Sequence, residues 1–165
     1  MKRLWAFSST LTVGLVAFAL IGPTTTAAQA TSLQQLCNYD DQCWFNNGPD
    51  QYITTSANGT GWAAEAAPGY TFNGHQAIMI FAGNDTCATD DGVDSYLATT
   101  NSRCSTSNPD SEELFYLAPS GALVSVWTTG QLGHYECLTV LSNGKIGNFQ
   151  CPSGAPPIKA HWEFL

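Results

Sequence analysis

From residue 76 to the C-terminus, short apolar runs alternate with turn-forming clusters. The runs are residues 77–81, 95–98, 114–117, 122–127, 137–141 and 161–165, rich in β-branched and aromatic side chains. Between them lie Gly83-Asn84-Asp85, Asp90-Asp91-Gly92, Asn108-Pro109-Asp110, Pro119-Ser120-Gly121, Ser142-Asn143-Gly144 and Pro152-Ser153-Gly154. Glycine, proline, Asn and Asp set turn geometry through positive φ, fixed φ and local side-chain hydrogen bonds. Short strands with a turn every eight to twelve residues predict an all-β fold. The one helical signal is a short turn at residues 62–67, alanine-rich and stopped by Pro68-Gly69.

The runs also repeat. Cys104 precedes Phe115 by eleven residues and Cys151 precedes Trp162 by eleven, with Leu117 and Phe164 two positions further on. Each second cysteine closes a matching run, Asn101-Ser-Arg-Cys104 and Asn148-Phe-Gln-Cys151, and Cys87 and Cys137 open the two units. A weaker unit ends at Gln76-Ala-Ile78, so the expected anchors are Ile78, Phe115 and Trp162, 37 and 47 residues apart. Three units of about forty residues, none able to cover its apolar face alone, predict a threefold all-β arrangement. Closing the strands into a barrel also removes exposed edges.

The N-terminus changes the effective size. Met1, Lys2 and Arg3 precede an apolar or small stretch at 11–21, and Ala28-Gln29-Ala30 supplies a small-x-small cleavage site. This order predicts a secretory signal over 1–30 and one domain over 31–165, secreted and extracellular. A membrane anchor would need about 20 apolar residues. Removal of 1–30 takes two of the five basic residues and none of the 13 acids, so the mature charge becomes 3 − 13 = −10. Scattered Arg103, Lys145 and Lys159 cannot form a phosphate-binding patch, which argues against nucleic acid and anionic membranes as partners. Six cysteines in an exported chain predict three disulfides (Cys37, Cys43, Cys87, Cys104, Cys137, Cys151) with connectivity open. Zinc is disfavoured, because no Cys-x-x-Cys or His-x-x-x-His pair occurs. Asn58-Gly-Thr60 and Asn84-Asp-Thr86 fit the N-glycosylation pattern, which matters only in a eukaryotic host.

Over residues 76–165 the chain resembles the ricin B-type (R-type) lectins. Glu113-Leu-Phe-Tyr-Leu resembles their Gln-x-Trp segment, Cys137-Leu-Thr-Val140 their Cys-Leu-Asp-Val opening, and Ala160-His-Trp-Glu-Phe164 their closing Gln-x-Trp-x-Phe. The resemblance implies a β-trefoil with three pseudo-repeats and intra-repeat disulfides Cys87–Cys104 and Cys137–Cys151. Cys37 and Cys43 are then left for each other, a pairing that the sequence alone leaves open. It also implies carbohydrate binding without catalysis, with a carbohydrate or glycoprotein surface as partner, a monomeric chain, and no cofactor or metal.

The chain departs from the family where a sugar would be gripped. The carboxylate that follows Cys-Leu is replaced by Thr89 and Thr139, and threonine cannot make a charge-assisted bond to a diol. Asp90 and Asp91 lie one and two residues beyond Thr89, so they are the substitute carboxylates, with Tyr96 as a stacking face. Asn101, Thr139, Asn148 and Gln150 complete the expected hydroxyl partners. Trp44, Phe45, Trp62 and Trp127 are further candidates for a sugar-stacking face, Trp127 being the best placed for the core.

Other chemistries fit less well. His75, His134 and His161 are the only histidines, and no Gly-x-Ser-x-Gly elbow accompanies them, so a hydrolase ranks last. Asn84, Asp85, Asp90, Asp91 and Asp94 offer oxygens to calcium but lack the spacing of a calcium loop. The principal alternative is a β-trefoil that inhibits a protease or binds a host protein through an exposed loop such as residues 105–111.

Overall fold

A computed structural model describes residues 32–83, 86–93, 95–100, 104–152 and 157–165. The expected signal at 1–30 lies outside the described residues.

The fold is nearly all β. The strands are β1 (Gln34–Asn38), β2 (Cys43–Phe45), β3 (Thr54–Ser56), β4 (Gly61–Phe72), β5 (His75–Ala82), β6 (Ala88–Asp90) and β7 (Leu97–Thr99). They continue as β8 (Phe115–Leu117), β9 (Leu123–Ser125), β10 (Glu136–Val140), β11 (Ile146–Gln150) and β12 (Trp162–Phe164). Ten strands form one sheet in the order β11-β10-β9-β8-β5-β4-β1-β2-β3, with β12 added on β1. Ala122 and His161, the residues just before β9 and β12, bridge as well. The path β1-β4-β5-β8-β9-β12 therefore almost closes on itself as a barrel. Three hairpins (β2–β3, β6–β7 and β10–β11) stand off this path. The bridges Tyr52↔Ala98, Thr54↔Lys145 and Tyr96↔Gly147 join each hairpin to the other two.

One buried cluster fills the interior. It takes Leu36, Trp44, Ile53 and Trp62 from β1–β4 and the loop before β3. Ile80, Ala88, Leu97 and Phe115 come from β5–β8, and Leu123, Leu138, Ile146 and Trp162 from β9–β12. Two of the indoles sit alike. Trp62 Nε1 donates to the carbonyl of Trp44 at 3.2 Å, and Trp162 Nε1 to that of Leu138 at 2.9 Å. In both cases the acceptor follows a buried half-cystine, Cys43 or Cys137. Ile78, the expected first anchor, is only partly buried and stands directly opposite Phe115 in the β5–β8 ladder.

All six cysteines are bonded, as Cys37–Cys43, Cys87–Cys104 and Cys137–Cys151. The latter two join the residues that the lectin resemblance pairs. The first is the pairing that the sequence left open.

Several local readings are corrected. Residues 62–67 form no helical turn but part of β4, paired with β5 from Trp62↔Ala82 to Ala66↔Ile78. Alanine's helix preference is only tenths of a kcal/mol per residue, and pairing along β4 with complete burial of Trp62 and Ala67 outweighs it. The run 122–127 is a strand only as far as Ser125, after which Val126–Leu132 form helix α1. Ser125 Oγ caps it by accepting from Thr128 N at 3.2 Å, and Gly133 ends it at φ 73°. Trp44 and Trp62 are fully buried, so neither offers a ring to a ligand.

Candidate functional site

On β6, successive side chains leave opposite faces of the hairpin, as strand geometry requires. Asp90 therefore points inward while Thr89 faces the other way. Asp91 follows directly and is exposed. Thr89 and Asp91 line a hollow of about 310 Å³ with Thr99 and Thr100 and, from the loop before β3, Asp50 and Tyr52. That loop is tied to β7 by Asp50 N to Thr99 O at 2.8 Å, Thr99 N to Gln51 O at 3.0 Å, and Thr99 Oγ1 to Gly48 O at 2.5 Å. Thr89 Oγ1 is buried with no hydrogen-bond partner among the described residues. Partial burial and repulsion from the neighbouring Asp90 carboxylate push the Asp91 pKa up from its ordinary value. The hollow thus brings together two aspartates, Asp50 and Asp91, three threonines and a tyrosine.

Asp90 departs from its expected role, because it is fully buried. Its carboxylate accepts hydrogen bonds from Ser125 Oγ, Thr128 Oγ1, Asn148 Nδ2 at 2.8 Å and Gly92 N at 3.1 Å. Those bonds tie β6 to the start of α1 and to β11, and leave no free face for a ligand. Asn148 belongs to the same network and donates also to Thr128 Oγ1 at 3.3 Å. Tyr96 does not line the hollow. Its ring meets Tyr52 edge-on at 5.2 Å, and Lys145 Nζ lies 3.8 Å from the Tyr52 ring centroid and 4.3 Å from that of Tyr96. Thr139 is on β10, where its Oγ1 donates to Lys159 O at 3.3 Å. Gln150 is exposed at the end of β11, opposite Glu136. Asn101 lies outside the described residues, as do Asn84, Asp85 and Asp94.

Each histidine has an aromatic or acidic neighbour. His75 stacks on Tyr116 with centroids 5.0 Å apart, His161 on Tyr39 at 3.8 Å, and His134 Nε2 lies 2.8 Å from Glu136 Oε1. Among the described residues, the metal-ligating types Cys87, Cys104 and Glu113 lie together, but both sulfurs are spent in a disulfide. The loop 105–111 is internally bonded through Asn108 N to Ser105 O at 3.2 Å and closes on the buried Pro109.

A second concavity, of about 390 Å³, is lined, among the described residues, by none of those expected to bind a sugar. Its walls include Phe72, His75, Tyr116 and Tyr135, and its lining includes Cys137 and Cys151. The β4–β5 turn at Asn73-Gly74, with both residues at positive φ, brings Phe72 and His75 to its mouth. Phe72 and His75 on either side of Asn73-Gly74 form a local sequence pattern that points to it. Tyr52, Asp50, Thr99 and Thr100 of the first hollow carried no such local signal.

No protein-family model matches the chain, and no curated protein sequence matches it significantly. Among the described residues, no helix is long and apolar enough to cross a membrane.

Proposed function

We propose that this chain is a secreted β-trefoil, related in plan to the ricin B-type lectins, that binds carbohydrate without catalysing a reaction. The trefoil reading is supported by six strands that almost close a barrel and three hairpins each bridged to the other two. It is further supported by the hydrogen-bonded chain of Ile53, Leu97 and Ile146, in which Ile53 N donates to Leu97 O at 2.8 Å and Ile146 N to Ile53 O at 3.2 Å. Three disulfides accord with export.

The observation that carries the binding reading is the hollow of Asp91, Thr89 and Tyr52. A sugar presents adjacent hydroxyls on one edge and an apolar C–H face on the other. A carboxylate accepts strongly from a diol, threonine hydroxyls both donate and accept, and an aromatic ring covers the C–H face. The carboxylate sits two residues beyond Thr89 because β6 turns Asp90 inward. The hollow is shallow, so useful retention on a surface comes from many weak contacts acting together. Passage over insoluble polysaccharides tests the reading. Retention with elution by free sugar supports it, and flow-through on a broad panel of glycans refutes it.

A further inference from the structure

The aromatic cleft shares no lining residue with the Asp91 hollow and has a different chemistry. We propose that it is a second binding site, for a small uncharged aromatic molecule that carries a hydroxyl group.

Charge selects against ions. Among the described residues, no Asp, Glu, Lys or Arg lines the cleft. An ionic ligand would lose hydration there without meeting a counter-charge, and the chain's net charge of −8 disfavours anions further. Shape and lining favour a flat ring. Phe72 lies between Tyr116 at 5.9 Å and Tyr135 at 5.5 Å, tilted by 42° and 60°, so the rings meet at angles that leave edges and faces for a further ring. Ala118, Ala122 and Val124, beside the Cys137–Cys151 disulfide, are small apolar lining residues and leave room within the cleft. Its volume of about 390 Å³ falls in the range of small-molecule sites, about 300–1,000 Å³.

The wall is held in place before any ligand arrives. Asn73 Nδ2 donates to Tyr135 Oη at 2.5 Å, fastening the ring before β10 to the β4–β5 turn 62 residues away in sequence. Tyr116, His75 and Ser120 add polar groups to the lining, each able to meet a ligand hydroxyl. A pyranose suits the cleft poorly, because hydroxyls around its whole ring would face alanine, valine and a disulfide.

Isothermal titration of the full chain with 2-naphthol, in parallel with 2-naphthalenesulfonate and glucose, tests the site. The expected result is one saturable site for 2-naphthol, with the sulfonate at least about tenfold weaker and no displacement by glucose. Tyr135→Ala, at a half-exposed position, is expected to weaken 2-naphthol about fivefold or more. Ala118→Leu, which fills the cleft from a partly buried position, is expected to remove binding. Asp91→Asn should leave it unchanged, which separates this site from the carbohydrate reading. Absence of saturable binding, equal binding of the sulfonate, or binding unaltered by Tyr135→Ala overturns the proposal.

Discussion

Asn148 Nδ2 donates to Asp90 Oδ1 at 2.8 Å, joining hairpins β6–β7 and β10–β11 through side chains 58 residues apart in sequence. The same carboxylate accepts from Ser125 and Thr128, so one buried acid fixes the relative position of two hairpins and the helix start. Asp90→Ala would strand the buried hydroxyls of Ser125 and Thr128 and take one of two acceptors from the partly buried Asn148 amide. We expect a loss of about 3 kcal/mol in urea unfolding, by the cost of leaving buried polar groups unpaired. A loss below about 1 kcal/mol would mean that the network relaxes without it.

The three disulfides should not contribute equally. Cys87–Cys104 closes a separation of 17 residues and Cys37–Cys43 one of 6. Restricting the unfolded chain gives about 3 kcal/mol for the longer loop and about 2 kcal/mol for the shorter. Paired Cys→Ala variants, unfolded in guanidinium, should reproduce that order; equal losses would contradict it.

Glu113 is buried, and that burial raises its pKa above the ordinary 4.5 despite the bond it accepts from Asp110 N at 3.1 Å. The folded chain then holds the proton more tightly than the unfolded one. This stabilisation is complete below pH 4.5 and is lost as pH rises through the elevated folded value. Glu136 is shifted upward too, chiefly by burial, with His134 opposing. Glu113→Gln keeps the acceptor for Asp110 N and removes the proton dependence. The thermal midpoint of the variant should therefore fall less than that of the parent between pH 4 and pH 7. Parallel curves would exclude Glu113 as a source of the slope.

Strands β5, β8, β10 and β12 are legible in the sequence because apolar runs there are bounded by glycine and proline turns. The first third is not. The alanines of β4 advertise a helix, and β2 and β3 are three-residue strands whose place depends on pairing with each other and with distant segments. At the site, the lectin resemblance led to Thr89, Asp90 and Asp91, but which of the two carboxylates faces outward depends on strand register. The aromatic partner of the hollow is Tyr52 rather than Tyr96, since the Tyr52↔Ala98 bridge delivers it from 46 residues away. No local pattern encodes that approach.

Binding of the parent chain and Asp91→Asn to a broad glycan array, at neutral and at acidic pH, bears most directly on the central claim. We expect the parent to mark a defined set of glycans that free sugar displaces, and Asp91→Asn to lose about tenfold or more of that signal. The parent signal should also fade on acidification, as Asp91 takes up its proton. A parent chain that marks no glycan, or an Asp91→Asn variant that marks the same glycans equally well, would contradict it.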